Sequence, residues 1–383
     1  MKKRRIAALL CGVMILSLLG GCTAPESNEA ATTKETSEEP SEEPSEGTKG
    51  TEEAKEETPA TDYDVLKVAM MPFGGNVPAQ YAYDQGYFEE LGLNIEFYQF
   101  ANGAGINEAL AAGEVDVGVS GLAMIFSLAS GTCQMIAESN TSGGMGIYVN
   151  PDSEILNSSQ EINGSTVYGS PETVKGITVI GQTGTSSQYN LAGWLKCLGL
   201  TEADVEFANV ALGSDVTAFV AGEGEAIAAS RPYSFQLEAD GYVLAGGFDE
   251  TTDTTLVDCI VARNEVVEAR SDELVLFLKG YFKALEEIAA DDDLRFNESM
   301  KYFADQGREY SENDMRNEMK VNKYVTKEYM SSDDYVYGDA MVSIGDFYCE
   351  CGQIEEDNLP NIPASFNADL LQEALEITVK VRE

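Results

Sequence analysis

One residue pattern occurs twice in the sequence. The first copy is Ala112-Gly113-Glu114-Val115-Asp116-Val117-Gly118-Val119-Ser120. The second copy is Ala221-Gly222-Glu223-Gly224-Glu225-Ala226-Ile227-Ala228-Ala229-Ser230. In both, an Ala-Gly-Glu triplet follows a helical pattern, because glycine readily takes the left-handed backbone that ends a helix. A short apolar run and a serine come next, which is typical of a parallel strand buried on both faces. The two stretches therefore predict equivalent strands in two related units.

Each of these strands closes a longer unit with the same order of elements. The first unit has strand patterns over residues 65–69, 94–97 and 115–119, and the second has them over residues 176–180, 205–210 and 226–229. Helical patterns between them stop at Leu91-Gly92-Leu93 and at Leu198-Gly199-Leu200, close to 107 residues apart. Two βαβαβ units of an α/β fold are the simplest interpretation. Beyond them, Ser271 is expected to begin a long amphipathic helix.

The first 22 residues are predicted to be a signal peptide and not part of the fold. A basic segment precedes an apolar run that is too short to span a bilayer comfortably as a permanent helix. Leu19-Gly20-Gly21-Cys22 resembles the bacterial lipobox, so Cys22 is expected to be acylated, with an ordinary secretory signal as the alternative. Residues 23–62 are rich in Glu, Ser, Thr and Pro and predict a disordered acidic linker.

Composition excludes several classes of function. The 383 residues include 66 Asp or Glu and 24 Lys or Arg, a formal net charge of -42, which argues against nucleic-acid binding. The chain has no histidine, so it cannot build a Ser-His-Asp or Cys-His nucleophile or a His-ligated zinc site. The cysteines after Cys22 are odd in number and irregularly spaced, so no disulfide framework is expected. Neither a metal site nor a cofactor is expected. Cys349 and Cys351 are interpreted as surface or half-buried thiols, with a strained redox pair or a partial metal site as the alternatives.

Ligand-binding residues are expected at the carboxyl ends of the parallel strands, where loops lead into helices. Four such loops carry the candidate residues, which are Phe73, Gly74, Gly75 and Asn76; Ser120 and Gly121; Thr185, Ser186 and Ser187; and Arg231 and Tyr233. Backbone N–H groups and hydroxyls in these loops suit a small anionic or polar ligand.

Two of these loops allow two interpretations each. Arg231 follows a buried strand in a chain with few cations, so it can hold an acidic group of a ligand or pair with a nearby acid. Thr185 or Ser186 can contact a ligand or simply cap the helix that follows. If Arg231 holds a ligand, Arg231→Ala is expected to weaken binding strongly without unfolding the protein.

The same residues resemble a known family. Residues 78–93, which include Tyr81-Ala82-Tyr83-Asp84-Gln85-Gly86-Tyr87-Phe88, and residues 108–118 resemble the first lobe of the periplasmic solute-binding proteins of nitrate/sulfonate/taurine-type ABC importers. Residues 174–200, with Gly184-Thr185-Ser186-Ser187, resemble the second lobe. Binders of pyrimidine precursors share this pattern, and the resemblance covers nearly all of residues 64–290.

The resemblance implies a type II periplasmic binding-protein fold, with two βαβαβ lobes joined by a two-segment hinge and a cleft between them. It divides the chain into lobe 1 over residues 63–145, lobe 2 over residues 146–256, and a return to lobe 1 with C-terminal helices over residues 257–383. By position, the candidate residues of the four loops line the cleft in that family. Here Ser230-Arg231 stands where many relatives carry an aromatic-acidic pair, which puts the usual substrates in question.

The function implied is that of a monomeric, non-enzymatic protein, lipid-anchored outside the cytoplasm. It would pass a small, acidic solute such as a sulfonate, nitrate or a carboxylate to an ABC permease and its ATPase. Three alternatives stay open: a binder of a pyrimidine or vitamin precursor, an anchored ligand sensor, and an enzyme like the pyrimidine synthases of the same fold, which rely on histidines that this chain lacks.

Overall fold

The computed structural model describes residues 63–252 and 254–382. The predicted signal peptide, the acylation site at Cys22 and the predicted linker lie outside these residues. The described residues belong to one compact unit, and every contact described below lies within it.

Strands and helices alternate along most of the described chain. The strands are β1 Leu66–Met70, β2 Ile95–Gln99, β3 Val117–Ser120, β4 Cys133–Ser142, β5 Gly146–Val149, β6 Ser159–Ile162, β7 Ser165–Tyr168, β8 Thr178–Gly181, β9 Glu206–Asn209, β10 Ala226–Ala229, β11 Val243–Gly247, β12 Leu256–Arg263 and β13 Lys323–Tyr324. The α-helices are α1 Val77–Asp84, α2 Tyr87–Glu90, α3 Gly103–Ala112, α4 Ile125–Ala129, α5 Pro171–Val174, α6 Ser186–Cys197, α7 Ser214–Val220, α8 Tyr233–Ala239, α9 Phe248–Thr252, α10 Asn264–Ala290, α11 Asp292–Asp305, α12 Glu312–Val321, α13 Lys327–Met330, α14 Asp339–Glu350, α15 Asn361–Ala364 and α16 Ala368–Leu375. Short 3-10 helices lie at Gly74–Asn76, Leu122–Met124, Glu154–Asn157, Glu202–Asp204 and Glu356–Asn358.

The first repeat forms one half of a six-stranded sheet with the order β13-β4-β12-β3-β1-β2. β1 lies between β2 and β3 and is parallel to both, as a βαβαβ unit requires. β12 then adds to β3 in the antiparallel sense, and β4 and β13 follow. We call this sheet and the helices packed on it lobe 1.

The second repeat has the same arrangement in a five-stranded sheet with the order β11-β5-β10-β8-β9. β8 lies between β9 and β10 and is parallel to both, and β5 adds to β10 in the antiparallel sense. We call this sheet and its helices lobe 2. The hairpin of β6 and β7 packs beside β11. The prediction of two βαβαβ units is therefore confirmed.

The chain passes between the lobes twice, and the two passages run side by side. β4 leads into β5 through residues 143–145, and β11 returns to β12 through α9. Gly146 pairs with Gly247 at the lobe 2 end, and Ser142 pairs with Leu256 at the lobe 1 end. This double connection is the predicted two-segment hinge, and it allows rotation of one lobe against the other.

The C-terminal segment after α10 packs on lobe 1. α11 lies against α1 and α10, and α12 packs on α11 and leads directly into β13. α14 packs on α4 and α15, and α16 covers α10 and β4. α14 also contacts α6 of lobe 2, where the Tyr189 and Phe347 ring centroids lie 4.1 Å apart.

Two helices differ from the sequence prediction. The helical pattern that ends at Leu91 is broken at Gly86, whose φ of 75° is left-handed, and this separates α1 from α2. The long helix begins at Asn264, ahead of the predicted Ser271, and bends at Arg270, where φ is -136° and ψ is 32°. The Arg270 guanidinium bonds the Asp64 carbonyl at 2.9 Å and the Asp116 carboxylate at 3.2 Å, so the bend ties the helix to the start of β1.

Candidate functional site

A cavity with a volume of about 510 Å³ lies between the lobes. Loops that follow the carboxyl ends of β1, β2, β3, β8, β9 and β10 all contribute to its wall. These are the six parallel strands of the two repeats, so the cavity lies where parallel sheets generally bind ligands. The hinge adds Ser142, Met145 and Leu256. The end of α11 and the turn that follows it add Phe303, Gln306, Gly307, Arg308 and Tyr310.

Most of the predicted site residues line this cavity. The structure brings together the loop after β1, the loop after β3 and both predicted loops of lobe 2, through Phe73, Ser120, Gly121, Thr185, Ser186, Arg231 and Tyr233. The predicted residues therefore contribute backbone and hydroxyl groups, two aromatic rings and one arginine to the cavity wall.

Gly74, Gly75 and Asn76 lie behind the wall and do not line the cavity. Asn76 is fully buried, and its side-chain amide donates to the Met71 carbonyl at 2.7 Å and the Val119 carbonyl at 3.2 Å. It thereby ties the loop after β1 to β3. A Cβ at Gly75 would collide with Asn140 and with the Phe73 ring at 2.7 Å, so the glycine leaves room for Phe73.

The loop before α6 has hydroxyls in capping positions. The Thr185 hydroxyl accepts the Ser187 N–H at 3.2 Å and donates to the Gln182 carbonyl at 2.7 Å. Ser187 is buried behind the wall, 3.3 Å from the Ser230 hydroxyl. Helix capping is thus the observed role of Thr185, which also lines the cavity, and Ser186 offers its hydroxyl beside Ser230.

Arg231 forms an ion pair with an acidic side chain, which is one of the two roles that the sequence analysis allowed for it. Its Nη1 lies 2.8 Å from Glu318 Oε1, and the side chains are only 12% and 6% exposed. Glu318 lies on α12 of lobe 1, so the pair crosses between the lobes. The Arg231 guanidinium makes no other hydrogen bond to the described residues and still lines the cavity.

Arg308 is a cation of the cavity that the sequence analysis missed. It follows Gly307, whose φ is 71°, in the turn after α11, and it lines the wall with Gln306 and Tyr310. Within residues 63–252 and 254–382, no carboxylate lies within ion-pair distance of Arg308. Its charge is therefore available to a ligand. The turn has no counterpart in the repeat, so no pattern in the sequence pointed to it.

Asp258 is the second residue that the sequence analysis missed. It lies on β12, is 5% exposed, and lines the cavity. Its Oδ2 accepts hydrogen bonds from the Asn140 amide, at 2.6 Å, and from the Ser142 hydroxyl. Burial raises the pKa of Asp258 to about 6, although the Ser142 bond and the charge of Arg231 oppose this shift. In the sequence it stands within an apolar strand pattern, where it gave no sign of a site.

The Asp258 carboxylate explains why a residue without a side chain stands at position 121. A Cβ at Gly121 would lie 2.6 Å from Asp258 Oδ1, an oxygen that accepts no hydrogen bond from the described residues. The glycine therefore lets Asp258 reach the cavity wall.

We expect Gly121→Ala to lower the free energy of unfolding by about 1–3 kcal/mol, because the methyl group overpacks against Asp258 and displaces it from Asn140 and Ser142. Urea unfolding at neutral pH measures this change. Gly105→Ala is the matched control, since its Cβ would meet the edge of Phe100 at 3.2 Å in the first turn of a helix. Equal stability of the two variants would contradict this explanation of Gly121.

The described residues were compared with the requirements of a metal site, a membrane-spanning helix and a disulfide bond. They contain no group of three or more His, Cys, Asp or Glu side chains that could hold a metal ion. No helix among them is long and apolar enough to cross a membrane. Cys349 and Cys351 are both free thiols there.

Comparison with known proteins identifies similar chains. The model of the NMT1-like family matches residues 60–296. A candidate ABC transporter periplasmic binding protein of Brachyspira hyodysenteriae is 30% identical over 324 residues, which cover 84% of this chain and 92% of that protein.

Two solved structures share the fold. The periplasmic aliphatic sulphonate binding protein SsuA from Escherichia coli aligns with a TM-score of 0.60 and 17% identity, over 78% of this chain and 92% of that one. The periplasmic nitrate-binding protein NrtA from Synechocystis PCC 6803 aligns with a TM-score of 0.62 and 13% identity, over 82% of this chain and 89% of that one. The predicted periplasmic binding-protein fold is confirmed.

Proposed function

The chain belongs to the NMT1-like family, and on that premise we propose that it is the extracytoplasmic solute-binding component of an ABC importer. The cavity between two hinged lobes is the observation that carries this proposal. At about 510 Å³ it is of the size that holds a small molecule, and the loops of both lobes meet around it. A solute held there is released when the lobes separate, which is what delivery to a permease requires.

The proposed solute is a small anion such as a sulfonate, nitrate or a carboxylate. The unpaired charge of Arg308 and the remaining donors of Arg231 support this class, because guanidinium groups bind planar acidic groups through charge-assisted hydrogen bonds. Ser120, Ser186 and Ser230 add hydroxyl donors to the same wall. The solved neighbours named for sulphonate and nitrate add further support.

The remaining parts of the proposal rest on the sequence. The lipobox-like Leu19-Gly20-Gly21-Cys22 supports a lipid anchor at Cys22, after removal of the signal peptide. The protein acts as a monomer without catalysis, and a separate permease and ATPase carry out transport. The lack of histidine in the chain supports a binding role over acid/base or nucleophilic chemistry.

A second candidate is a pyrimidine or vitamin precursor, which one observation favours. The free Asp258 oxygen faces a wall that also contains Phe73, Tyr233 and Tyr310. A heterocycle could stack on these rings and donate an N–H to the carboxylate.

A thermal-shift screen of residues Glu56–Glu383 tests both candidates, with sulfonates, nitrate, bicarbonate, carboxylates, amino acids, pyrimidines and flavin precursors as probes. A ligand at 100 times its dissociation constant stabilises the fold by about 2.7 kcal/mol, a shift that such a screen resolves. We expect stabilisation by members of the acidic group. Stabilisation by heterocycles alone would instead support uptake of a pyrimidine or vitamin precursor. If no probe stabilises the protein, both solute classes are contradicted.

A further inference from the structure

The ion pair between Arg231 and Glu318 is unusual in its position. Arg231 follows β10 in lobe 2, whereas α12 is held to lobe 1 at both ends, by its packing on α11 and by β13 in the six-stranded sheet. The pair therefore lies across the cleft and not within one lobe. Any rotation that opens the cleft must separate the two charges.

The surroundings of the pair make it sensitive to the loss of either partner. Glu318 also accepts longer contacts from the Asn322 amide, at 3.4 Å, and the Tyr310 hydroxyl, at 3.5 Å. Neither contact brings a charge, so Arg231 is the cation that balances Glu318. A buried charge that loses its partner is strongly destabilised, and opening of the cleft would expose it to water.

We infer that Arg231 and Glu318 form an interlobe latch that holds the cleft closed in the absence of solute. Both act as positioning residues, because they set the arrangement of the lobes around the cavity. A cleft that is already closed uses less of the solute's binding energy for closure, so the latch raises the apparent affinity. The effect of the latch on solute affinity rests on the proposed function. The closed arrangement of the lobes does not, because it can be measured without any solute.

A second contact between the lobes provides the internal control. Lys196 of α6 and Glu350 of α14 also pair across the lobes, at 3.8 Å, but their side chains are 80% and 70% exposed. Exposed pairs contribute little, since water solvates both charges before and after separation. Lys196→Met should therefore leave the lobes closed.

The test is small-angle X-ray scattering on solute-free Glu56–Glu383, for which a compact chain predicts a radius of gyration of roughly 20 Å. Glu318→Gln and Arg231→Met should each increase this radius, because hinge opening moves the two lobes apart. Lys196→Met and Arg231→Lys, which keeps the charge, should retain the wild-type radius. Circular dichroism at the same temperature confirms that each variant is folded.

Three results would overturn the latch. The first is a wild-type radius in both Glu318→Gln and Arg231→Met, which would mean that other interlobe contacts, such as those of α14 with α6 and of α12 with α8, hold the lobes together. The second is an equal increase in Lys196→Met. The third is a wild-type protein that is already open in solution. A failed solute screen would leave all three measurements valid, so the latch and the proposed function can fail separately.

Discussion

Arg308→Met should weaken the binding of an acidic solute by roughly tenfold to a hundredfold, because the variant removes the unpaired cation of the cavity. A hydrogen bond to a charged group contributes about 1.5–3 kcal/mol, and 1.4 kcal/mol corresponds to a factor of ten in affinity. Methionine keeps most of the length and apolar contact of the side chain, so the loss reports the charge. Calorimetric titration with an acid that stabilises the wild type in the thermal-shift screen measures the effect.

Arg316→Met is the matched control for Arg308. Arg316 is an exposed arginine of α12 that lies over the Phe296 ring, 4.5 Å from its centroid, and it does not line the cavity. The Arg316→Met substitution changes the net charge of the protein by the same amount as Arg308→Met, so a long-range effect of net charge would appear in both variants. Equal affinities in Arg308→Met and Arg316→Met would show that Arg308 does not bind the solute.

The double variant Arg231→Met/Glu318→Gln separates the two arginines of the cavity. Arg231→Met alone also leaves Glu318 unpaired, so a loss of affinity in that single variant has two causes. The double variant removes the pair without an unbalanced charge. If it binds the acid and Arg308→Met does not, Arg308 is the main partner of the acid. The reverse result would assign the loss to the Arg231–Glu318 pair, either through direct contact of Arg231 with the acid or through the open cleft of a protein without the latch.

The repeat accounts for what could be predicted about the fold. Glycines such as Gly113 and Gly222 end helices in both units, and the strands after them are buried over their whole length. The predicted bounds match β10 to the residue and β3 to within two residues. These are local patterns. They depend on the backbone freedom of glycine and on burial of both sheet faces, and neither requires knowledge of distant contacts.

The site was predicted only in part, because a loop can be located more easily than its side chains can be oriented. The loop after β1 does reach the cavity, but Phe73 faces it while Gly74, Gly75 and Asn76 support it from behind. Asp258, Arg308 and Glu318 come from segments after the repeat. Arg231 and Glu318 are 87 positions apart, and only the packing of α11 and α12 on lobe 1 brings them together.

Glu138 is the group for which we expect the largest effect on stability. It lies on β4 inside lobe 1, is 2% exposed, and accepts the Gly338 N–H at 3.0 Å. Burial raises the pKa of Glu138 to about 7, from the ordinary value of 4.5, and neighbouring hydrogen bonds oppose this only in part. The folded protein therefore binds a proton at pH values where the unfolded chain has released it.

The sign of the pH dependence follows from this difference in proton binding. The stabilisation from a protonated Glu138 is fully present below the unfolded pKa of 4.5 and is lost as the pH rises through about 7. Asp258, with a pKa of about 6, acts in the same direction from 3.8 upward. Wild-type protein should accordingly be more stable toward urea at pH 5 than at pH 8.5.

Glu138→Gln should remove the larger of these losses, because glutamine keeps the shape and the acceptor for Gly338 but carries no charge at any pH. From the raised pKa we expect the variant to gain roughly 3 kcal/mol over the wild type at pH 8.5, and to differ little from it at pH 5. Glu114→Gln, at an exposed carboxylate, controls for the lower net negative charge. The same gain in both variants would attribute the pH dependence to general charge repulsion in this acidic chain, and equal stability of Glu138→Gln and wild type at pH 8.5 would mean that Glu138 is ionised in the folded state at no cost.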